Sequence, residues 1–440
     1  MSKKHPILVG TLVLTATGFV TRLIGFFFRI FLSQNFGEEQ VGLYQLIFPI
    51  YALCFSFTCA GIQTSISRCT AQKVSLGRQD DAIRLLYLGL ASSISLSLLT
   101  LITLQNSVSF LSIYILGDIR CEPMLHAISY ALPFASVHSC FCGYYFGLKQ
   151  TKIPALSQLV EQIVRVCIVY IIYQISLKNN NSPNILLAVL GIAFGECASA
   201  LFTFCCFTKQ KRSFRSRHSR SSIYPLLRDL FSLAVPLSSS RILLNIFQSI
   251  ESVSIPLRLQ HYSYSSTEAL SNYGVLTGMA LPCVLFPTAL TNSISTMLLP
   301  SIAEIQATKN HSKIKNVIQK VFLSCFSLGF LCCIGLFFFS SFIGNRIFHS
   351  ELASGYLKVL AWICPFLYLN TTLISIINGL GKATISFIIN LLSLIIRIAS
   401  IFIFIPVYGM NGYLSGLLFS QLFTSLLSTF YLVIYLKKRV

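Results

Sequence analysis

Acidic side chains are scarce in this sequence. Thirteen Asp and Glu stand against 33 Lys and Arg, and charged residues make up only 10% of the 440. A soluble globular domain carries about 25% charge, so the composition excludes that class. Strict apolar–polar alternation is missing as well, which excludes a membrane β-barrel. No Gly-x-x-x-x-Gly-Lys-Ser/Thr loop occurs, so the chain has no P-loop to cradle the phosphates of ATP. Fifteen cysteines contain no Cys-x-x-Cys pair, and no Cys/His spacing fits a zinc site. Their odd number argues against a disulfide framework. Cys54, Cys59, Cys205, Cys206, Cys332 and Cys333 sit inside apolar runs, as small hydrophobes do. Neither a metal nor a cofactor is expected.

What the chain has in abundance is apolar sequence, 54% by residue type. Runs near or above the roughly 20 residues that cross a bilayer recur along its length. The fold class expected is an all-α polytopic membrane protein. About twelve transmembrane helices are predicted, near 7–33, 41–67, 82–104, 124–148, 154–177, 184–208, 229–257, 271–300, 317–341, 355–380, 383–406 and 411–436. The first run follows MSKKHP but carries Arg22 and Arg29 and no small-x-small cleavage site. It is read as a retained span rather than a signal peptide.

Basic residues divide unevenly between the loops. One set of alternate loops, with both termini, holds 23 Lys and Arg; the other holds Arg120, Lys178, Arg258, Arg346 and Lys358. This asymmetry predicts an even number of spans with both termini cytoplasmic. It also accounts for much of the +20 net charge, so no nucleic-acid partner is needed. The stretch KQKRSFRSRHSR belongs to a basic cytoplasmic linker, 209–228, suited to anionic head groups. The linker separates a six-helix lobe at 1–208 from another at 229–440.

The two lobes repeat one another. Pro133-Phe134, Gly147-Leu148 and Arg165 recur 232 residues later as Pro365-Phe366, Gly379-Leu380 and Arg397. The Gly-x-x-x-Gly of Gly191 and Gly195 recurs as Gly412 and Gly416. A six-helix unit repeated in one orientation implies a pseudo-twofold axis along the membrane normal.

Charges inside the spans point to function, because each is costly in lipid unless paired or facing water. Glu161 and Arg165 are i, i+4 on one helix, the spacing of a direct pair. A structural ion pair is expected, with a transport role as the alternative. Arg22 and Arg29 are seven residues apart, within about 20° of two full turns, so they share a helix face. Arg241, Asn245, Gln248 and Ser252 form a polar stripe bordered by Glu251, and Asn292 lies on the next helix. Such stripes face a water-filled cavity or hydrogen-bond another helix. A cavity lined by arginines suits an anion, since the planar guanidinium fork matches phosphate oxygens. The candidate substrate-binding residues are therefore Arg22, Arg29, Arg241, Asn245, Gln248, Glu251 and Asn292. His138 is read as a hydrogen-bonded packing residue, with a proton relay as the alternative. No nucleophile–base arrangement is visible, so no catalytic residues are expected and the chain is not read as an enzyme.

Four stretches carry a family resemblance: GTLVLTATGFVTRLIGFFFRI (10–30), EEQVGLYQLIFPIYAL (38–53), GYYFGLKQTKIPALSQLVEQIVRV (143–166) and LTGMALPCVLFPTALTNSISTMLLPSIAE (276–304). They resemble the stage V sporulation protein B and polysaccharide-transporter family of the multidrug/oligosaccharidyl-lipid/polysaccharide flippase superfamily. The resemblance implies two MATE-like six-helix lobes in a V-shape. It implies alternating-access flipping of an undecaprenyl-pyrophosphate-linked glycan or peptidoglycan precursor across the cytoplasmic membrane. The implied partners are that anionic lipid-linked substrate, membrane lipids, and enzymes of cell-wall or polysaccharide synthesis. Arg22, in TRLIG, matches the first cavity arginine of the lipid II flippases, while Arg29 lies one residue beyond the second. Many relatives have fourteen spans where twelve are expected here. Two other functions fit less well. A cation-coupled drug exporter needs an acidic cavity residue, and the first helix has none, though Glu196 and Glu251 in later spans keep that reading open. A non-transporting scaffold for glycan synthesis gives the cavity arginines no purpose.

Overall fold

The computed structural model describes residues 5–180, 182–211, 222–307 and 311–437. Lys3, Lys4, Lys309, Lys438, Arg439 and positions 212–221 of the basic linker lie outside the described residues. Among the described residues every element is helical. Eight helices are long and apolar enough to cross a membrane, or nine if the bent pair α14 (Glu351–Ala361) and α15 (Cys364–Gly379), which meet at 56°, counts as one span. The count is below twelve for a physical reason. The first candidate, Val13–Ser75, runs 63 residues through two predicted spans. The stretches near 124–148 and 271–300 are helical but broken by turns at Tyr130 and Phe286–Pro287.

By backbone contacts the chain forms two compact units. Unit 1 is Met1–Phe28 with Leu43–Ser249, and unit 2 is Arg29–Gly42 with Ile250–Val440. All three borders fall inside helices. Helix α1 (His5–Leu46) kinks at Gly37, whose φ of 80° only glycine adopts without strain. Helix α9 (Ile223–His261) gives Ile223–Ser249 to unit 1, where Leu226, Leu230 and Ala234 join a core of Ile66, Leu85 and Phe141. The unit 2 core centres on Ile302, Cys325, Leu373 and Ile377.

The repeat is written into the backbone. In unit 1, Gly117 (φ 73°) precedes the N-cap Asp118, which accepts from Arg120 N–H. In unit 2, His349 (φ 56°) precedes the N-cap Ser350, which accepts from Ala353 N–H. Further on, α6 (Ala131–Gly147) and α15 both end at a repeat glycine. Each is followed two residues later by a left-handed residue, Lys149 (φ 60°) and Gly381 (φ 73°).

Candidate functional site

The stretch α2 (Phe48–Phe55), a π-helical turn Ser56–Ala60 and α3 (Gly61–Ser75) carries the first set of polar contacts. A π turn displaces the regular i to i−4 bonding and offers carbonyls sideways. Gly61 lets α9 approach: a Cβ there would lie 2.5 Å from the Ala234 carbonyl oxygen. Side chains of α9 then reach across. Arg241 donates through Nη1 to the Ala60 carbonyl at 3.2 Å and through Nη2 to Thr64 Oγ1 at 3.3 Å. Asn245 donates to the Ala52 carbonyl at 3.2 Å and to Ser56 Oγ. Ser249 donates to the Pro49 carbonyl at 3.2 Å. At the other end Lys73 pairs with Asp229 at 2.8 Å.

The predicted stripe on α9 therefore divides. Asn245 is occupied in helix–helix bonding, whereas Arg241 and Gln248 stay exposed. Both oxygens that Arg241 contacts are neutral, so these bonds leave its charge in place. Arg22 is also exposed and belongs to unit 1. Arg29 shares its helix but belongs to unit 2, where it donates to the Thr277 carbonyl at 3.4 Å. Asn292, on α12 (Thr288–Ala307), is exposed.

A second set of polar groups is buried or half-buried in unit 1. Gly191 and Gly195 of α8 (Leu186–Lys211) face α7 (Lys152–Lys178) so closely that a Cβ on Gly195 would sit 2.9 Å from the Glu161 carbonyl oxygen. This contact brings Glu196 beside Glu161. Arg165 donates to the Glu161 carboxylate on its own helix. His138 of α6 places Nδ1 at 3.4 Å from Glu196 Oε2, and Tyr51 donates to Glu196 Oε1 at 3.4 Å.

Unit 2 holds the counterpart. Glu251 is buried, with Oε2 at 3.2 Å from Arg397 Nη2 of α16 (Ala383–Ile403). Tyr413 of α18 (Met410–Lys437) donates to its Oε1 at 2.7 Å. Sequence reasoning singled out Glu251 and Arg397 separately but did not join them, because their helices are distant in the chain. It named Glu196 only as an acid within a span and left Tyr51 unassigned. A further signal was Glu196 directly following a Gly-x-x-x-Gly glycine.

A helical bundle with buried charge clusters and exposed intramembrane arginines has known relatives. The sequence profile described as "Polysaccharide biosynthesis protein" matches residues 7–306. The chain belongs to that family. A second profile, MatE, matches residues 241–403. "Stage V sporulation protein B" of Bacillus subtilis (strain 168) is 28% identical over 414 residues, covering 93% of this chain and 80% of the relative. "Lipid II flippase MurJ" of the same strain is 21% identical over 425 residues, covering 90% and 77%. Among solved structures, an inward-facing multidrug resistance MATE family transporter superposes with a TM-score of 0.71 at 13% identity, covering 98% of each chain. The inward closed form of lipid II flippase MurJ gives 0.71 at 15% identity, covering 96% and 87%. This polysaccharide biosynthesis family member is thus a multi-pass membrane transporter of the flippase superfamily, with a fold shared by MATE proteins.

Proposed function

We propose that the protein flips an undecaprenyl-pyrophosphate-linked glycan or peptidoglycan precursor across the cytoplasmic membrane by alternating access. The observation that carries this reading is Arg241, an exposed guanidinium in an apolar helix whose hydrogen bonds go to neutral oxygens. Moving a diphosphate past hydrocarbon requires positive charge that no protein carboxylate has neutralised. Arg22 and Arg241 hold the phosphates, and exposed Gln248 contacts sugars. Arg29, Asn245 and Glu251 act in packing, since each is engaged within its unit. The work is transport with no bond chemistry, in line with relatives named as a flippase and as transporters. Both termini and the basic linker lie on the cytoplasmic side.

The test is reconstitution in liposomes with fluorescent lipid II and an undecaprenyl-pyrophosphate oligosaccharide, scored for leaflet exchange. Arg22→Ala and Arg241→Ala are expected to abolish exchange at unchanged expression. Arg22→Lys should recover it partly, because Lys keeps the charge without the bidentate fork. Full exchange in the double alanine variant would end the anionic-substrate reading. Orientation is checked with single cysteines at Ser216 and Asn180 in a cysteine-free background. An impermeant maleimide should label only position 180 from outside the cell.

A further inference from the structure

The buried cluster of unit 1 contains an unresolved polar contact. Ser157 Oγ donates to the Pro154 carbonyl at 2.8 Å, because a carbonyl has no hydrogen to give. Its hydrogen is therefore committed. His138 Nε2, 2.9 Å from the same oxygen, must be the donor in that contact. A neutral ring then leaves a bare lone pair on Nδ1, and Nδ1 faces Glu196 Oε2 at 3.4 Å. That carboxylate oxygen is buried with no hydrogen-bond partner, in a residue only 9% exposed. Two acceptors facing one another in an apolar interior are unfavourable unless a positive charge lies between them.

The charge count agrees. Glu161 and Arg165 neutralise each other, so Glu196 remains as one surplus negative charge. Around it lie Tyr51, Tyr44 and Cys59 from the α1–α3 stretch and Cys142 from α6. All of these are neutral when protonated and leave the count unchanged.

We propose that this cluster binds one proton, shared between His138 Nδ1 and the Glu196 carboxylate, and that this proton is the coupling ion of transport. The binding half stands on the geometry; the coupling half rests on the proposed transport function. Loading takes one proton from water into the Nδ1–Oε2 gap and brings the cluster from a net charge of minus one to zero. Unloading returns it to water, and only an N–H or O–H bond changes. A metal ion is the competing occupant, since the donor atoms of His138, Glu161 and Glu196 lie within 4.8 Å of one another. A divalent ion would leave the buried cluster at plus one beside Arg165. Imidazole nitrogen suits zinc and its neighbours, whereas hard cations take oxygen ligands. Of the proton, Na⁺ and K⁺, only the proton is held well by an imidazole nitrogen. Unit 2 carries no such group at the repeat positions, where Asn370 stands for His138, Ser393 for Glu161 and Leu417 for Glu196.

The test uses the full chain in lipid nanodiscs with 15N-labelled histidine. The chain has seven histidines, and His138 is assigned by its absence from the His138→Gln spectrum. Nε2 should be protonated at every pH. Nδ1 should lose its proton in one titration as pH rises. Glu196→Gln should abolish that titration, because the amide N–H takes the proton's place. Melting temperature of each variant shows that it is folded, and Ser157→Ala should release the tautomer without removing the titration. An Nδ1 state that never changes with pH would overturn the site. So would a His138 signal that moves with added Na⁺ or Zn²⁺ at fixed pH and stops moving in Glu196→Gln. In proteoliposomes, an imposed pH gradient should drive wild-type exchange but not that of Glu196→Gln. Wild-type exchange indifferent to the gradient would overturn the coupling role. Failure to flip either lipid while the His138 titration persists would count against the proposed substrate and support the proton site.

Discussion

Arg165 and Arg397 occupy the same position of the internal repeat, yet they meet their carboxylates by different routes. Arg165 finds Glu161 one turn back on its own helix. At the matching place before Arg397 stands Ser393, so Arg397 takes Glu251 from α9, far away in the chain. The surroundings differ in the same sense. In unit 1, a histidine and a second glutamate crowd the pair. In unit 2, Asn370 replaces the histidine, donates to the Gln421 carbonyl at 2.9 Å and accepts from Ser425 at 2.7 Å. One scaffold therefore holds a charge-neutral pair in one unit and a pair with a surplus acid in the other. Repetition preserved the backbone and left the charge balance free to diverge.

The strongest way to break this comparison is to remove each acid. Stranding a mostly buried arginine costs about 3–5 kcal/mol. Glu251→Gln should fall at the top of that range, since Tyr413 retains an acceptor while Arg397 loses its partner. Glu161→Gln should cost less, because Glu196 lies close enough to take over part of the role. The Glu161→Arg/Arg165→Glu exchange should recover part of the loss. Unfolding in detergent measures all three, and equal losses for the two single variants would remove the distinction between the units.

A smaller effect is expected at the helix crossings. Gly195→Ala should cost about 1–3 kcal/mol through forced separation of α7 and α8. Gly412→Ala should cost at least as much, since its Cβ would lie 2.5 Å from the Phe404 carbonyl oxygen. A tolerated Gly195→Ala would mean that the approach of Glu196 to Glu161 does not depend on that glycine.

Next come the contacts of α9. Asn245→Ala removes its bonds to the Ala52 carbonyl and Ser56 and should cost about 1 kcal/mol. The smallest effect concerns the left-handed turn after α6 and α15. A non-glycine residue there costs about 1–2 kcal/mol, part of which glycine returns through its freer unfolded chain. Lys149→Gly should therefore stabilise by about 0.5–1 kcal/mol, and Gly381→Lys should destabilise by a similar amount. The opposite sign at either site would show that the two turns are not equivalent.

Sequence alone determined what depends on neighbours along the chain. Helices follow from apolar runs that leave the backbone no water to bond. The breaks follow from Gly37 and from proline, as at Pro287, because these residues set local torsion and remove donors. The repeat was legible because its proline, glycine and arginine keep one offset. The Glu161–Arg165 contact was legible because i, i+4 is a property of a single helix. Tertiary structure decided everything that needs two helices to meet. Nothing near Glu251 in sequence points to Arg397 or Tyr413, and nothing near Asn245 points to the Ala52 carbonyl or the Ser56 hydroxyl of another helix. His138 and Glu196 are 58 positions apart, and only the packing of α6 against α8 brings their polar atoms together. An apolar helix has many faces of similar hydrophobicity, so periodicity does not say which one turns inward. The fit of small residues against a neighbouring backbone makes that choice, and with it decides which charges are neutralised and which remain to do work.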